Sequence, residues 1–420
     1  MDRKNKPGFI SRKTMQLANH VHDAQHKLSL KQRAQILSRR IVMGRTHHSL
    51  FRTLIAVILV LALVIVGGKL QTSAWNAGEP TAVPVSDHEV QLSFVGDVMM
   101  GRYVASFGEK MSYSELFRDS KTLWDKSALV FANLESAVIK QGERYDEADK
   151  NLKLSASQEA IQMAAEAGID AVSLANDHVG DYGREGVRHT IEAMQEYGME
   201  YAGAGAEREE AGAYRLLEAD GLTVGFVACT QVAPDQFAAT KDGYGVCPTS
   251  YTNLYENVFA ASTNSDFVVV YVHWGNENDL TVTETQRKIA YRLIDSGADI
   301  VIGSHPNILQ EVEQYKNGIV FYSLGSFISD EATRQARNTT MVQLNVDKNT
   351  GDGYFTLIPM RINDFHPYET TNRFYVSQIH QSLLKALPDS AYSVTEDGRI
   401  QIPMKLYQPQ ETAVIQTTNG

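Results

Sequence analysis

The sequence predicts a layered α/β domain preceded by one membrane-spanning helix, and three observations carry that prediction. From Glu89 onward, short β-rich apolar runs alternate with segments of helical period. An uncharged stretch, LIAVILVLALVIVGG at Leu54 to Gly68, stands ahead of the alternation. Charge is split around that stretch: residues 1–53 carry twelve Lys/Arg against two Asp, a net +10 in a chain of formal charge −11, so the remainder is −21. With 420 residues, 43% of them apolar, the chain can bury a full core, which excludes global disorder.

The apolar stretch reaches about 20 residues when Phe51 to Leu70 are counted with Arg52 and Lys69 snorkelling at its ends, enough to cross a bilayer. A signal peptide has a charged n-region of only a few residues, whereas the whole 1–53 segment precedes this run, so the expectation is an uncleaved helix over 54–70. The basic flank places residues 1–53 in the cytoplasm and residues 70 onward outside. A buried core helix would not be flanked by so basic a segment and by a linker such as TSAWNAGEPTAVPVSDHE. Residues 1–53, with five histidines, read as a solvated basic arm beside anionic lipid head groups, the alternative being a cytoplasmic docking element. Residues 71–88 read as a linker.

The strand runs are VQLSFVGD, ALVFANLE, AVSLANDH, TVGFVACTQ, FVVVYVHWG, DIVIGSHP and IVFYSLGSF, in that order. Between them SQEAIQMAAEAG, GREGVRHTIEAMQEYG and TETQRKIAYRLIDSG have helical patterns, each closed by a glycine suited to a C-cap. Beyond Asp330, MVQLNVD and YFTLIPMRI flank the turn NTGDG and predict a hairpin that finishes the sheet. The domain is therefore expected over 89–365, with 366–420 as a C-terminal extension holding one helix, VSQIHQSLLKAL. Cys229 and Cys247 are the only cysteines, which excludes a disulfide framework or a cysteine metal site. An oxidising exterior would allow one bridge, but Cys229 in TVGFVACT reads as a buried small residue.

Polar residues fall at the ends of these runs: Asp97 after LSFVG, Asn133 and Glu135 after LVFA, Asn176, Asp177 and His178 after VSLA, His273 after VVVYV, His305 after VIGS, and Ser326 after FYSLG. In open α/β sheets ligands bind beyond the carboxyl ends of the strands, so these side chains can converge on one rim. A single Asp there is ordinary turn or cap chemistry, and a lone His is usually a satisfied structural group. Three histidines and several carboxylates at equivalent ends instead predict a shared polar site. Oxygen and imidazole donors without thiolates suit Mn, Fe or Zn, and one or two such ions can activate water and hold the oxygens of a phosphoester.

Six motifs in order, GDVMMGR, NLES, LANDHVGDYG, HWGNE, GADIVIGSHPNILQ and YSLGSF, resemble the motif set of the CapA family over roughly residues 90–365. That family is named for poly-γ-glutamate capsule biosynthesis, and the resemblance implies a calcineurin-like metallophosphatase fold, a four-layer αββα sandwich, held at the outer face of the cytoplasmic membrane. It implies Asp97, Glu135, Asp177, His273, His305 and Asn307 as the metal positions. His178, with Asp181 as its partner, would be the acid or phosphate-orienting imidazole, and Glu277 a ligand or base. Arg102, Asn133, Asn176 and Ser326 would contact substrate. Three positions depart from the family pattern: Asp177 stands where a second Asn is usual, Asn307 where His is frequent, and Ser326 where Asn is found. With no cation present, Asp177 would repel Asp97 and Glu135.

Two functions from different classes follow. One is a metal-dependent hydrolase acting on a phosphoester or on an acyl or amide bond of a cell-surface polymer. The other is a non-catalytic component that binds polymer or partner proteins of a capsule synthesis or export complex in the membrane. Nucleic acid is not expected as a partner. The −21 remainder opposes any polyanion at long range unless a metal or local basic residues offset it.

Overall fold

A computed structural model describes residues 88–331 and 333–407, together with Ile55 and residues 57–59, which are helical and exposed. The expected span 54–70 lies outside the described residues but for those four positions, and the basic arm and the linker lie outside them almost entirely. Among the described residues no helix is long and apolar enough to cross a membrane.

The apolar runs become strands buried on both faces, which is why they read as near-continuous hydrophobic sequence. The first sheet takes β1 (Glu89–Val98), β2 (Leu129–Leu134), β3 (Ala171–Ser173) and β4 (Glu200–Ala202), parallel neighbours in that order. The second takes β5 (Arg215–Ala219), β6 (Leu222–Thr230), β7 (Phe267–His273), β8 (Ile300–Ser304), β9 (Val312–Tyr315) and β10 (Gly318–Phe321), in the order β9-β10-β8-β7-β6-β5. The chain then returns to the first sheet with β11 (Ser326–Ile328), β12 (Asn338–Asp347), β13 (Asp352–Asn363), β14 (His366–Glu369), β15 (Ser393–Val394) and β16 (Ile400–Lys405). Among the described residues that sheet has ten strands, along the path β15-β16-β13-β12-β1-β2-β3-β4 with β11 beside β1 and β14 beside β13.

Period-two alternation builds the layers. In β7, Phe267, Val269 and Tyr271 face an inner core shared with Phe94, Phe131 and Leu344 of the first sheet, while Val268, Val270 and Val272 face an outer core. That outer core also holds Leu254 and Val258 of α5 (Thr252–Asn264) and Ala290 and Leu293 of α6 (Glu284–Asp295). On the far side of the first sheet, Val95, Val130 and Val172 pack with side chains of α1 (Arg102–Met111), α2 (Arg118–Trp124), α3 (Gln158–Glu166) and α4 (Gly183–Tyr197). The order of layers is helix, sheet, sheet, helix. Gly198 and Gly297 end α4 and α6 at φ of +69° and +110°, a conformation that any Cβ would strain.

The hairpin after Asp330 forms as expected, β12 pairing β13 from Asn338↔Arg361 to Val346↔Gly353. The segment read as an extension continues the same structure. β14 and β16 both pair with β13, and Ile379 and Leu383 of α7 (Arg373–Leu383) enter the inner core with Ile400 and Ile402. Sequence pattern marked a boundary at 365 because strands of four to six residues, separated by polar turns, carry little periodic signal. Cys229 and Cys247 are free thiols buried in the outer core.

An aspartate stands just before three of the parallel strands and accepts the backbone N–H that starts a neighbouring strand: Asp170 from Val130 at 2.8 Å, Asp266 from Thr223 at 2.7 Å, and Asp299 from Val268 at 2.8 Å. Burial pushes the Asp299 carboxyl up from 3.8 to about 7, against that hydrogen bond. A carboxyl that keeps its proton to higher pH when folded contributes stability that is fully present below about pH 4 and is lost as the pH rises through 7. Asp299→Asn keeps an acceptor for the Val268 N–H. It should be nearly neutral at pH 4 and stabilise by about 2 kcal/mol at pH 8, a figure that allows for solvent at a half-buried group. Chemical denaturation at both pH values checks this, and an equal effect at both would show that Asp299 ionisation is not felt.

Candidate metal centre

The carboxyl ends of the parallel strands in both sheets meet at one rim. In the first sheet Asp97 lies opposite Asn133 on β2 and Ser326 on β11, and in the second His273 lies opposite Ser304 on β8. A register shift in β1 between Phe94 and Asp97 leaves the Val95 carbonyl outside the ladder, and the Tyr271 hydroxyl of β7 comes within 3.1 Å of it and within 3.0 Å of the Phe131 carbonyl. Gly96, within the shifted stretch, lets the chain before β11 come close, since a Cβ there would sit 1.8 Å from the Gly325 carbonyl oxygen.

Four side chains, Glu135, Asp177, His273 and His305, each aim one donor atom into a group whose atoms all lie within 4.8 Å of one another. His273 Nε2 is 3.0 Å from Asp177 Oδ1, 3.2 Å from His305 Nδ1 and 3.8 Å from Glu135 Oε1. Its Nδ1 is 2.9 Å from Ser304 Oγ, which sets the ring orientation. His305 takes φ of +93°, unfavourable for a residue with a Cβ, and its N–H donates to Asp97 Oδ2 at 3.3 Å. The other Asp97 oxygen accepts from Asn133 Nδ2 at 2.8 Å. Asn176 donates in turn to Asn133 Oδ1 and to the Leu134 carbonyl, and accepts from the N–H groups of His178 and Val179. A buried chain of amides thus ties the loop after β3 to the ends of β2 and β1.

A second group borders the first. His178 Nδ1 donates to Asp181 Oδ2 at 2.6 Å, and Leu154 N–H donates to the same oxygen. Lys150 Nζ lies 2.9 Å from Asp181 Oδ1 and 3.4 Å from Asp177 Oδ2, and also donates to the Asp177 carbonyl.

Burial pushes the Asp97 carboxyl up to about 6 in spite of its hydrogen bonds to Asn133 and His305. Burial, then Asp97, Asp177 and Glu277, push Glu135 well above the carboxylate range. Asp177 resists burial and is held below that range by the His273 hydrogen bond and the neighbouring cationic groups. Burial lowers both imidazoles, His305 to about 4. Burial disfavours the charged form of both imidazoles, which stand amid carboxylates that repel one another, a donor set that fits a divalent transition ion.

The remaining predicted residues lie around this group. Glu277 is exposed at the rim, where its charge is felt by Glu135 and His305. Asn307, at φ of +61°, accepts from Ser326 Oγ at 3.1 Å. Arg102 turns to Asp330 and Glu331, at 3.3 and 3.9 Å. Lys150, the Ser304 partnership and Tyr271 were not foreseen. Lys150 sits in a loop whose mixed charges carry no motif, and the other two are visible only once strands are in register.

The family profile described as bacterial capsule synthesis protein PGA_cap matches residues 91–331. The chain is 30% identical over 358 residues to the capsule biosynthesis protein CapA of Bacillus anthracis, covering 83% of this chain and 86% of that one. It is 32% identical over 295 residues to the PGA biosynthesis protein CapA of Bacillus subtilis, covering 70% and 77%. Among solved structures, the calcineurin-like phosphoesterase YfkN from Bacillus subtilis aligns at 13% identity and a TM-score of 0.37, covering 70% of this chain and 97% of that one. A 5'-nucleotidase precursor from Thermus thermophilus aligns at 12% and 0.36, covering 62% and 52%.

The geometry ranks the carboxylates. Asp177→Ala or His273→Ala removes one of four convergent donors and should lower affinity for Mn2+ or Zn2+ by roughly tenfold to a hundredfold. Asp97→Asn, at a group whose two oxygens already have protein donors, should cost less. Because Glu135, whose carboxyl is pushed well above the carboxylate range, must be deprotonated to accept a cation, affinity should weaken as the pH falls from 7.5 to 5. Calorimetric titration at pH 5, 6 and 7.5 tests both statements, and flat affinity across that range would contradict the second.

Proposed function

Since the chain belongs to the bacterial capsule synthesis protein family, we propose that it is a membrane-anchored, metal-dependent hydrolase of capsule biosynthesis or export. Its α/β domain stands outside the cytoplasm and cleaves a phosphoester or a bond of an anionic polymer of the poly-γ-glutamate type. The carrying observation is the group Glu135, Asp177, His273 and His305, which both sheets present from their strand ends. A divalent Mn, Fe or Zn ion held there supplies Lewis acidity. His178 Nδ1 holds its proton toward Asp181 and its Nε2 lies 3.6 Å from Asp177 Oδ2; as an imidazolium the ring can give its Nε2 proton to a leaving oxygen and keep the Nδ1 proton toward Asp181. Lys150 offsets part of the carboxylate charge beside Asp177 and lets an anionic substrate approach.

The uncharged run 54–68 behind a +10 segment supports a single span with residues 1–53 in the cytoplasm, where synthesis and export proteins in the same membrane would be partners. Protease added to intact protoplasts should then remove the α/β domain while residues 1–53 survive. Full protection of the domain rejects this topology.

Activity is tested on the purified chain loaded with each metal, using a chromogenic phosphodiester and a glutamate polymer. His178→Ala should lower kcat by about 10²–10⁴ without changing metal content. A fully loaded protein that turns over neither substrate rejects the hydrolase and favours a polymer-binding component.

A further inference from the structure

One residue of the loop after β3, Asp181, holds the segment that carries Lys150. Its carbonyl accepts the Ala148 N–H at 2.8 Å, its Oδ2 accepts the Leu154 N–H at 2.8 Å, and its Oδ1 faces Lys150 Nζ at 2.9 Å. Earlier in the same segment the Tyr145 hydroxyl accepts the Lys140 N–H at 2.7 Å and lies 2.8 Å from Nδ1 of His189, which is buried on α4. The Phe237 ring lies against the Lys150 ammonium, its centroid 5.6 Å from Nζ. A lysine side chain ordinarily keeps much of its rotamer freedom. This one is held at its backbone and at its tip.

The surroundings of Nζ are those of a bound cation. An ammonium has three N–H groups, and three oxygens stand round this one: Asp181 Oδ1, Asp177 Oδ2 at 3.4 Å and the Asp177 carbonyl. The Asp181 side chain is fully buried, and its Oδ1 accepts no hydrogen bond of regular geometry among the described residues, so the ammonium is what balances that oxygen. The Asp177 carboxylate joins the two groups. Its Oδ1 lies 3.0 Å from His273 Nε2 within the metal centre, while its Oδ2 faces Lys150. The lysine's charge is felt at Asp177, Glu135 and His273. A carboxylate with one oxygen toward a metal position and the other toward an ammonium stands as it would between two metal ions.

We infer that Lys150 is the second cation of this centre: its ammonium occupies the place beside Asp177 and Asp181 that a second metal ion would need, and the protein holds one divalent ion per chain. The inference rests on the reading of Glu135, Asp177, His273 and His305 as a metal centre and fixes how many ions that centre takes. With the ammonium removed and the carboxylates kept, the same place becomes a buried anionic pocket of oxygens, a donor set that suits Mn2+.

The purified full-length protein is loaded with Mn2+ and freed of excess ion, its metal is counted by elemental analysis, and its electron paramagnetic resonance spectrum is recorded. Wild type should hold one equivalent and give the spectrum of an isolated ion. Lys150→Met, which keeps the apolar stem against Phe237, should hold two and give the spectrum of a coupled pair sharing Asp177. Lys150→Arg should stay at one because it keeps the charge, and Lys150→Met/Asp181→Asn should return to one because the gained ion loses a carboxylate. A lysine that only braces the loop would lose metal on substitution and gain none. Lys150→Gln takes the place of Lys150→Met if circular dichroism shows that the methionine variant does not fold. Two equivalents in wild type, or one in wild type and in the folded neutral variant alike, overturns the assignment and leaves the metal centre standing. One equivalent in wild type with no turnover of any substrate rejects the hydrolase and leaves the assignment standing. Wild type that takes up no metal rejects the centre, and the assignment falls with it.

Discussion

The Tyr271 hydroxyl sets the relation between the two sheets on which the site depends. It is fully buried in the inner core, where an unsatisfied hydroxyl would cost about 1–3 kcal/mol, and the second sheet offers it nothing. It finds the Val95 and Phe131 carbonyls of the first sheet, the first of them within the register shift of β1. Two residues further along β7 lies His273, and two residues beyond Val95 and Phe131 lie Asp97 and Asn133. Side chains two apart on a regular strand share a face, so His273 follows Tyr271 and Asn133 follows Phe131 to the inner side, and the register shift in β1 turns Asp97 to that same side opposite Asn133.

At that level the molecule tolerates terms that would be unfavourable elsewhere. His305 stands at positive φ, Glu135 and Asp97 are buried near Asp177, and two imidazole nitrogens face each other at 3.2 Å. Fixed partners offset part of this: the Asp97 carboxyl for the His305 N–H, Asn133 and Asn176 behind Asp97, and Lys150 for Asp177 and Asp181. Local conflict of this kind, held by a well-packed surround, is the mark of a site and not of a fold.

The C-terminal elements complete the sheet that carries that centre. The match to the family profile ends at residue 331, whereas β12 to β16 and α7 come after it. Because α7 buries Ile379 and Leu383 in the inner core, its outward face is held by the same packing that holds the sheets.

The sequence by itself determined the alternation of strands and helices, the glycine-closed helix ends, the β12–β13 hairpin and the placement of Asp97, Asn133, Asp177, His273 and His305 at strand ends. All of these are local: period two against period 3.6, glycine at positive φ, and polar residues where an apolar run stops. Only the tertiary structure decided that Glu135, Asp177, His273 and His305 form one group, that Asp97 spends its oxygens on Asn133 and His305, and that Arg102 turns to Asp330. It alone decided the places of Lys150, Ser304 and Tyr271, and the inclusion of residues 366–405 in the sheet. The reason is physical: these outcomes depend on register and on sheet-to-sheet packing between residues more than a hundred positions apart in several cases, and no local pattern encodes which strand a given strand will meet.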